Sequence, residues 1–525
     1  MNTTNNKFLP SWGRRGMSVG CDDCRFIGTK EFLLGGFLCL LFLALPLSAQ
    51  QPQELRLTLD ETITLARRQS VNAAVALNEL KTAYWEYRSY KADLLPEMSL
   101  SGTIPAYNKR YNTYQREDGG YSYVRNDYMQ MDGSLSIKQN IWLTGGTLSI
   151  NSSLNFLRQM TGGDPDNRNQ YMSVPVALTL NQPIFGVNTT KWNRRIEPVR
   201  YKEAKANFLT ATENVAMSAI SHFFNLLLAK ERVSIARQNL DNAKKLYEVA
   251  KAKREMGQIS ENDLLQMRLN LLNEESSLTE NESSLKSNMF ALRSFLSIDD
   301  DVDIVPILPD SVPEVSIKYE DVLNHALRNN AFASNIRRRQ LQADCSVAIA
   351  KGNLRQVTLH AQVGFTGTSR TMRTAYDNLK DNQIVQVGVS IPLVDWGKRR
   401  GQVKVAESNR EVTKSRLRQE TANFHQDLFI LTEQFNNQSR QLNIAKEADR
   451  IAEKRYKTNV ETFMIGKIST LDLNDAQTSK DQARQNRISE LFSYWYYYYQ
   501  LRSITLWDFA NNCDINADIE RIVKQ

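Results

Sequence analysis

Asp472 and Asp475 stand three residues apart, one helical turn, in the stretch GKISTLDLNDA that opens at Gly466. Two carboxylates that close on one helix face repel, and crowding of that kind raises carboxyl pKa values. Such a pair can hold a cation. It can also act locally, as helix-capping groups. The same phrase occurs earlier as GQISENDL, beginning at Gly257, 209 residues upstream. There Asp263 matches Asp472, but Gln266 stands where Asp475 would be. In both copies the glycine suits a chain reversal, because left-handed angles strain it least. Ile259 and Ile468 can staple the turn. Ser260 and Ser469 can cap the returning helix, with Asp263 and Asp472 as third-position partners. For these two aspartates, capping and a place in a passage are both open. Asp475 lies six residues past its serine, beyond capping reach.

Reversals imply long elements to reverse. The offset of 209 holds without gaps from Pro183 over Pro392 to Leu292-Arg293-Ser294 over Leu501-Arg502-Ser503. Upstream the offset becomes 260, with DETITLARRQS at 60–70 over EDVLNHALRNN at 320–330. The difference leaves 51 extra residues in the first half, between Leu94 and Pro183. The chain reads as a tandem duplication with one insertion. Each half runs helix, strands, long helix, shorter helix. Helices are expected over 58–93, 192–256 and 261–297, then over about 398–465 and 470–504. Some 65 residues at 1.5 Å each span roughly 100 Å. Ala236, Leu240, Ala243, Tyr247 and Ala250 step by four and three, which is coiled-coil spacing. The two shorter helices of a half, stacked end to end, match the long one.

The strands alternate. Val174, Val176, Leu178 and Leu180 share one face, as do Leu359, Ala361, Val363 and Phe365, and Val385, Val387, Val389, Ile391 and Leu393. Many of the positions between are Ser, Thr, Asn or Gln. This fits a wall with lipid outside and water inside; a soluble β-sandwich with one wet face is the alternative. Phe185, Trp192, Trp142 and Trp396 flank the strand ends, followed by Arg194, Arg195, Lys398, Arg399 and Arg400, as at a bilayer rim. A few strands cannot close a barrel alone. An open edge in lipid leaves backbone groups unpaired at several kcal/mol each, so copies must pool their strands.

At the N-terminus, FLLGGFLCLLFLALPL at 32–47 follows Lys30 and precedes Ala49. It is short for a membrane span and reads as a signal peptide cut after Ala49, with Met17 an alternative start. Cleavage leaves Cys345 and Cys513, too few for a disulfide scaffold. The organisation expected is a signal peptide over 1–49 and a first repeat over 50–297, with an inserted β-hairpin at about 103–175. A linker over 298–316, a second repeat over 317–504 and a tail over 505–525 follow. The net charge of +8 is spread along the chain, with no basic aromatic face for nucleic acid. The four histidines show no metal spacing, and no catalytic constellation is present, so no metal, cofactor or enzyme activity is expected. YWYYYY at 494–499 is expected to pack against the linker.

With these features the chain resembles the TolC family of outer-membrane efflux proteins. The carriers are the duplicated halves, LTLDETITLARRQS, NQPIFG, SIPLVDWGKRRGQV, and the pair GQISENDL and GKISTLDL. The resemblance implies a mostly α chain with a membrane β-barrel, forming a homotrimer with four strands per chain and a long helical barrel in the periplasm. It implies a passive exit duct in outer-membrane lipid. A periplasmic adaptor (membrane fusion) protein would join it to an inner-membrane pump of RND or ABC type. An anchored stalk or adhesin is the alternative, but has no need of matched reversals or an acid pair.

The resemblance also assigns roles. Asp472 and Asp475 ring the periplasmic entrance, where three copies would gather six carboxylates and attract cations. Asp263 and Phe463 join that gate. Gly257, Ile259, Ser260, Gly466, Lys467, Ile468 and Ser469 form the tip turns that meet the adaptor. One departure stands out. The family arginine two residues after the glycine is Ile468 here, and Phe463 keeps an aromatic without its hydroxyl, leaving Lys467 as the substitute for a polar lock. The inserted stretch GSLSIKQNIWLTGGTLSINSSLNF, 133–156, reads as a hairpin flanked by loops over 105–132 and 158–170. Two placements fit it. In the wall it gives six strands per chain and 18 in the trimer; outside the membrane it forms a cap.

Overall fold

The computed structural model describes residues 54–524 apart from 161–167, 300, 310, 314, 391–393 and 466, and the unit begins at Glu54. The expected leader, with Ile391, Leu393 and Gly466, lies outside the described residues. In chain order the first half has β1 (Glu54–Leu57), α1 (Leu59–Gln69) and α2 (Val71–Ala92). Four strands follow: β2 (Glu97–Gln115), β3 (Tyr121–Ile141), β4 (Gly146–Gln159) and β5 (Asn169–Phe185). Then come α3 (Thr189–Glu255) and α4 (Glu261–Leu296). The second half has β6 (Asp303–Pro306), α5 (Tyr319–Asn329), α6 (Ala331–Gly352) and β7 (Gln356–Ser369). A short α7 (Thr374–Asp377) precedes β8 (Lys380–Ser390), and α8 (Lys398–Met464) and α9 (Thr470–Thr505) complete it.

The principal helices pair off by length, with 11, 22, 67 and 36 residues in each half. Local chemistry sets their ends. Thr58 and Glu61 form a capping box on α1. Ser70 accepts from Ala73 N and Asn330 from Phe332 N, so each starts a new helix. The single helix read over 58–93 is therefore two. Ser297 and Leu506, 209 residues apart, both end their helices with left-handed backbone, φ 54° and 48°. Within each half the shorter helices pack along the long one: α2 and α4 on α3, α6 and α9 on α8. No helix among the described residues is long and apolar enough to cross a membrane.

The six long strands form one sheet in the order β2-β3-β4-β5-β7-β8, antiparallel throughout. Cross-strand register separates its faces. Met98, Ile137, Ile150, Leu178 and Val363 lie in one row, directly opposite one another. The adjacent row, on the other face, is Glu97, Lys138, Ser149, Thr179 and Gln362. Val385, Val387 and Val389 continue the apolar face and are exposed. A register shift between Ser173 and Ala177 moves Val174 to the polar face, opposite Ser153, against its expected place beside Val176. The stretch 105–132 is not a loop. It is strand on both sides of a turn at Arg116–Gly120, where Gly119 takes φ +84°.

The core lies where the helices of both halves meet, around Phe223, Phe224, Leu292, Phe435 and Leu501. Tyr494 and Tyr498 belong to it, and the Tyr494 hydroxyl donates to Pro313 O in the linker. A charged knot is buried beside them. Glu213 of α3 accepts from Arg67 of α1 at 2.5 Å and from Arg502 of α9 at 3.1 Å. Arg502 also bonds Asp508, which accepts from the Tyr498 hydroxyl at 2.7 Å. Burial pushes the Asp508 carboxyl up, but bonds from Tyr498 and Asn511, with the Arg502 charge, outweigh it and hold the group at about 2.

Glu213 thus joins three helices through a side chain only 2% exposed. Glu213→Ala takes the acceptor from Arg67 and one of two carboxylate partners from Arg502, and should destabilise the helical part by about 3 kcal/mol. Urea unfolding followed by helical circular dichroism measures this; an unchanged midpoint would refute the role.

Candidate functional site

The two helix reversals are built alike. At the first, Gly257 takes φ +72°, and Gln258 N donates to Lys253 O at 2.8 Å, closing the end of α3. Ser260 Oγ then accepts from Asp263 N at 3.1 Å, and Asp263 Oδ2 accepts from Ser260 N at 3.0 Å. At the second, Lys467 N donates to Thr462 O at 3.1 Å. Asp472 N donates to Ser469 Oγ at 3.2 Å, and Ser469 N to Asp472 Oδ2 at 3.1 Å. Ile259 and Ile468 are half-buried, while Lys467 is exposed. Both capping boxes are thus present, and both serines hold their aspartates locally.

These bonds set the charge state. The Ser469 hydroxyl, then its backbone N–H, draws the Asp472 carboxyl below its ordinary range, and Ser260 does the same to Asp263. Within one chain, Asp472 therefore moves opposite to the like-charge expectation. Asp475 has its own counter-ion: Arg455 Nη2 of α8 donates to Asp475 Oδ2 at 2.6 Å. Sequence reading missed Arg455, although the reversal at 466 folds 455 onto the level of 475. In the first half the matching positions are Leu246 and Gln266, so this ion pair belongs to the second reversal. Phe463 packs beside the buried cluster of Tyr456, Leu473 and Ala476, and Lys253 Nζ of α3 sits 5.8 Å from its ring. The two helical hairpins are held together further up by polar bonds. Glu231 accepts from Arg484 at 2.9 Å, and Asn239 donates to Asp481 at 2.8 Å.

At the opposite end of the long helices stands the sheet rim. Asn188 caps α3 by accepting from Lys191 N at 2.8 Å, and its amide donates to Trp142 O at 2.8 Å. Gln139 donates to Leu94 O at 2.9 Å and Asn140 to Asp93 O at 3.1 Å. The β3–β4 turn is thereby fastened to the end of α2 and the start of α3. This answers the hairpin question at the level of one chain: β3 and β4 lie within the sheet, with their turn on its helix side. Arg194 lies 3.9 Å over the Trp142 ring and Arg195 5.2 Å over Trp192. Phe185 is exposed, and Trp396 is 97% exposed, held outward by left-handed backbone at Trp396 and Gly397.

The family model described as outer membrane efflux protein matches residues 62–297 and 327–493. No curated protein sequence matches the chain. Among solved structures, the Campylobacter jejuni CmeC outer membrane channel is similar with a TM-score of 0.62 at 16% identity, over 89% of this chain and 88% of that one. Vibrio cholerae VceC, an outer membrane protein, gives 0.57 at 15% identity, over 87% and 97%. The open state of the Neisseria gonorrhoeae MtrE outer membrane channel gives 0.55 at 14%, over 87% and 91%. At these identities the likeness is one of fold.

Both capping aspartates are held below their ordinary value of 3.8. Their contribution is complete above that value and is lost as pH falls through the lower, folded one. Hydrogen-exchange protection in the first turns of α4 and α9, taken relative to the intrinsic rate at each pH, should hold at neutral pH and fall only in acid. Ser469→Ala should quicken exchange in α9 at every pH and leave α4 unchanged; equal change in both would refute separate local caps.

Proposed function

Since the chain belongs to the outer membrane efflux protein family, we propose that it is the passive exit duct of a tripartite export system. Its place is the outer membrane, with a large helical portion in the periplasm. One observation carries the reading. An amphipathic sheet of six strands, fastened to the ends of two 67-residue helices, pairs its outermost strands β2 and β8 on one side only among the described residues.

Three copies would close that sheet into a wall of 18 strands, the size at which barrels enclose an aqueous channel. This is wider than the four strands per chain expected from the family, and the inserted β3–β4 hairpin supplies the difference. The polar rows would then face the channel. The two repeats, 50–297 and 317–504, would each contribute one helical hairpin to a periplasmic tunnel. Asp472, Asp475, Asp263 and Phe463 would stand at its narrow entrance, with Arg455 moderating the acid ring. The turns at 257–260 and 466–469 would meet an adaptor protein, and through it an RND- or ABC-type pump.

Two measurements test this. In a Cys345→Ser/Cys513→Ser background, single cysteines in β2 combined with cysteines stepped along β8 should give a covalent trimer at one register. A monomer at every register would overturn the closed wall. In planar bilayers, Asp472→Ala/Asp475→Ala should weaken block by divalent cations and reduce cation selectivity. Unchanged block would remove the acid ring from the entrance.

A further inference from the structure

The apolar face of the sheet continues past the band that lipid tails would cover. β3 alternates regularly from Ile141 to Tyr121, and the register shift at Thr103–Ala106 adds its extra residue to β2. The odd-numbered residues of β3 therefore share the face of Leu135 and Ile137 along the whole strand. Among the described residues β4 pairs with β3 as far as Tyr128, with one further bond from Met160 N to Asp127 O at 2.8 Å. Beyond it, Lys109–Gln115 and Tyr121–Asp127 form a ribbon of two strands, roughly 23 Å long. A neighbouring β8 has 11 residues against 19 in β2, so it cannot pair with all of that edge. A two-stranded ribbon is marginal in water unless something covers a face.

The two faces of the ribbon differ. The face continuous with Leu135 and Ile137 carries Tyr107, Tyr111, Tyr121 and Tyr123, exposed by 59, 66, 72 and 79%. Lys109 and Arg125 stand between them. Arg158, opposite Met129, extends the cations on the same face. The one acid among these paired residues, Asp127, is buried and accepts from Arg125 at 2.5 Å and from the Tyr107 hydroxyl. The other face carries Asn108, Arg110, Asn112, Ser122 and Asn126, with Tyr114, Val124 and Tyr128 among them.

We infer that the tyrosine face binds the phosphorylated sugar headgroups of outer-leaflet glycolipid. The inference rests on the outer-membrane placement of the sheet. Past Leu135 the same face runs through Gly133, Met131 and Met129 before it reaches Arg125 and the tyrosines, so lipid whose tails lie along Ile137 to Met129 has its headgroup beside these tyrosines and cations. Aromatic rings stack on the apolar faces of sugar rings while their hydroxyls reach polar partners. Lys109 and Arg125 supply charge-assisted bonds to phosphate.

The test uses the full mature protein in vesicles of phosphatidylethanolamine and phosphatidylglycerol, with or without purified rough-type lipopolysaccharide. Protease protection of the sheet scores insertion separately, so failure to insert counts against the duct and not against the headgroup site. Hydrogen exchange at 107–127 should slow by roughly tenfold when lipopolysaccharide is present. Tyr107→Ser/Tyr111→Ser/Tyr121→Ser/Tyr123→Ser should abolish the slowing, and Lys109→Gln, which keeps all four rings, should weaken it. Lipopolysaccharide stripped of phosphate should give a smaller effect; full slowing would overturn the phosphate contacts. Slowing by inorganic phosphate alone, or equal protection in vesicles without lipopolysaccharide, would overturn the proposal, the latter in favour of contact between ribbons of neighbouring copies.

Discussion

Every backbone N–H and C=O in hydrocarbon needs a partner, and among the described residues of one chain the outer edges of β2 and β8 pair with no strand. The rest of the structure follows from that deficit. In the proposed duct, a sheet with this apolar face would be stable in lipid only when closed. Closure would require the edge of one copy to meet the opposite edge of the next, at one register and one tilt. The rim supplies that precision. Asn188, Gln139 and Asn140 bind the β3–β4 turn to the ends of α2 and α3. Strand positions in the wall are thereby tied to helix positions below it.

The helices in turn need a rigid waist. Long coiled pairs alone do not fix how the halves sit together. The buried knot of Arg67, Glu213, Arg502 and Asp508 does, because each charge has its partner on a different element. Buried ion pairs add little net stability, yet removing one member leaves the others unpaired, which is how they enforce one arrangement. The tyrosines and the linker carbonyl at Pro313 close the same region from the other side.

Much of this was readable from residues alone, and the reason is periodicity. The duplication fixed the matched helices to within a few residues, since serine caps and glycine reversals recur at constant offset. What escaped was whatever depended on partners distant in sequence. Arg455 shows as one more surface cation until the reversal brings it to Asp475. Val174 fits the alternation of its strand, but a one-residue bulge, invisible in a single strand, turns it over. The ribbon at 105–132 looked like loop because neither of its faces is aliphatic. Tyrosine, asparagine and arginine alternate there without the apolar half that ordinarily marks a strand.

The faces of the sheet and the helix tips divide the electrostatic work. Along the polar face the paired rows are chiefly hydroxyls and amides: Ser99, Ser136 and Asn151, then Ser149, Thr179 and Gln362. Lys138 lies directly opposite Glu97, while Asp132 on the same face stands opposite Thr103 and Asn155. A wide passage lined this way would have little field with which to sort ions by sign, since few charges line it and wide pores are filled with screening water. The helix tips differ. Asp472 and Asp475 sit one turn apart where the helices end, and Asp472 is held ionised by its own cap. In the proposed duct, selection by charge would therefore act at the helix tips. The sheet would be left to do what its backbone demands, which is to close.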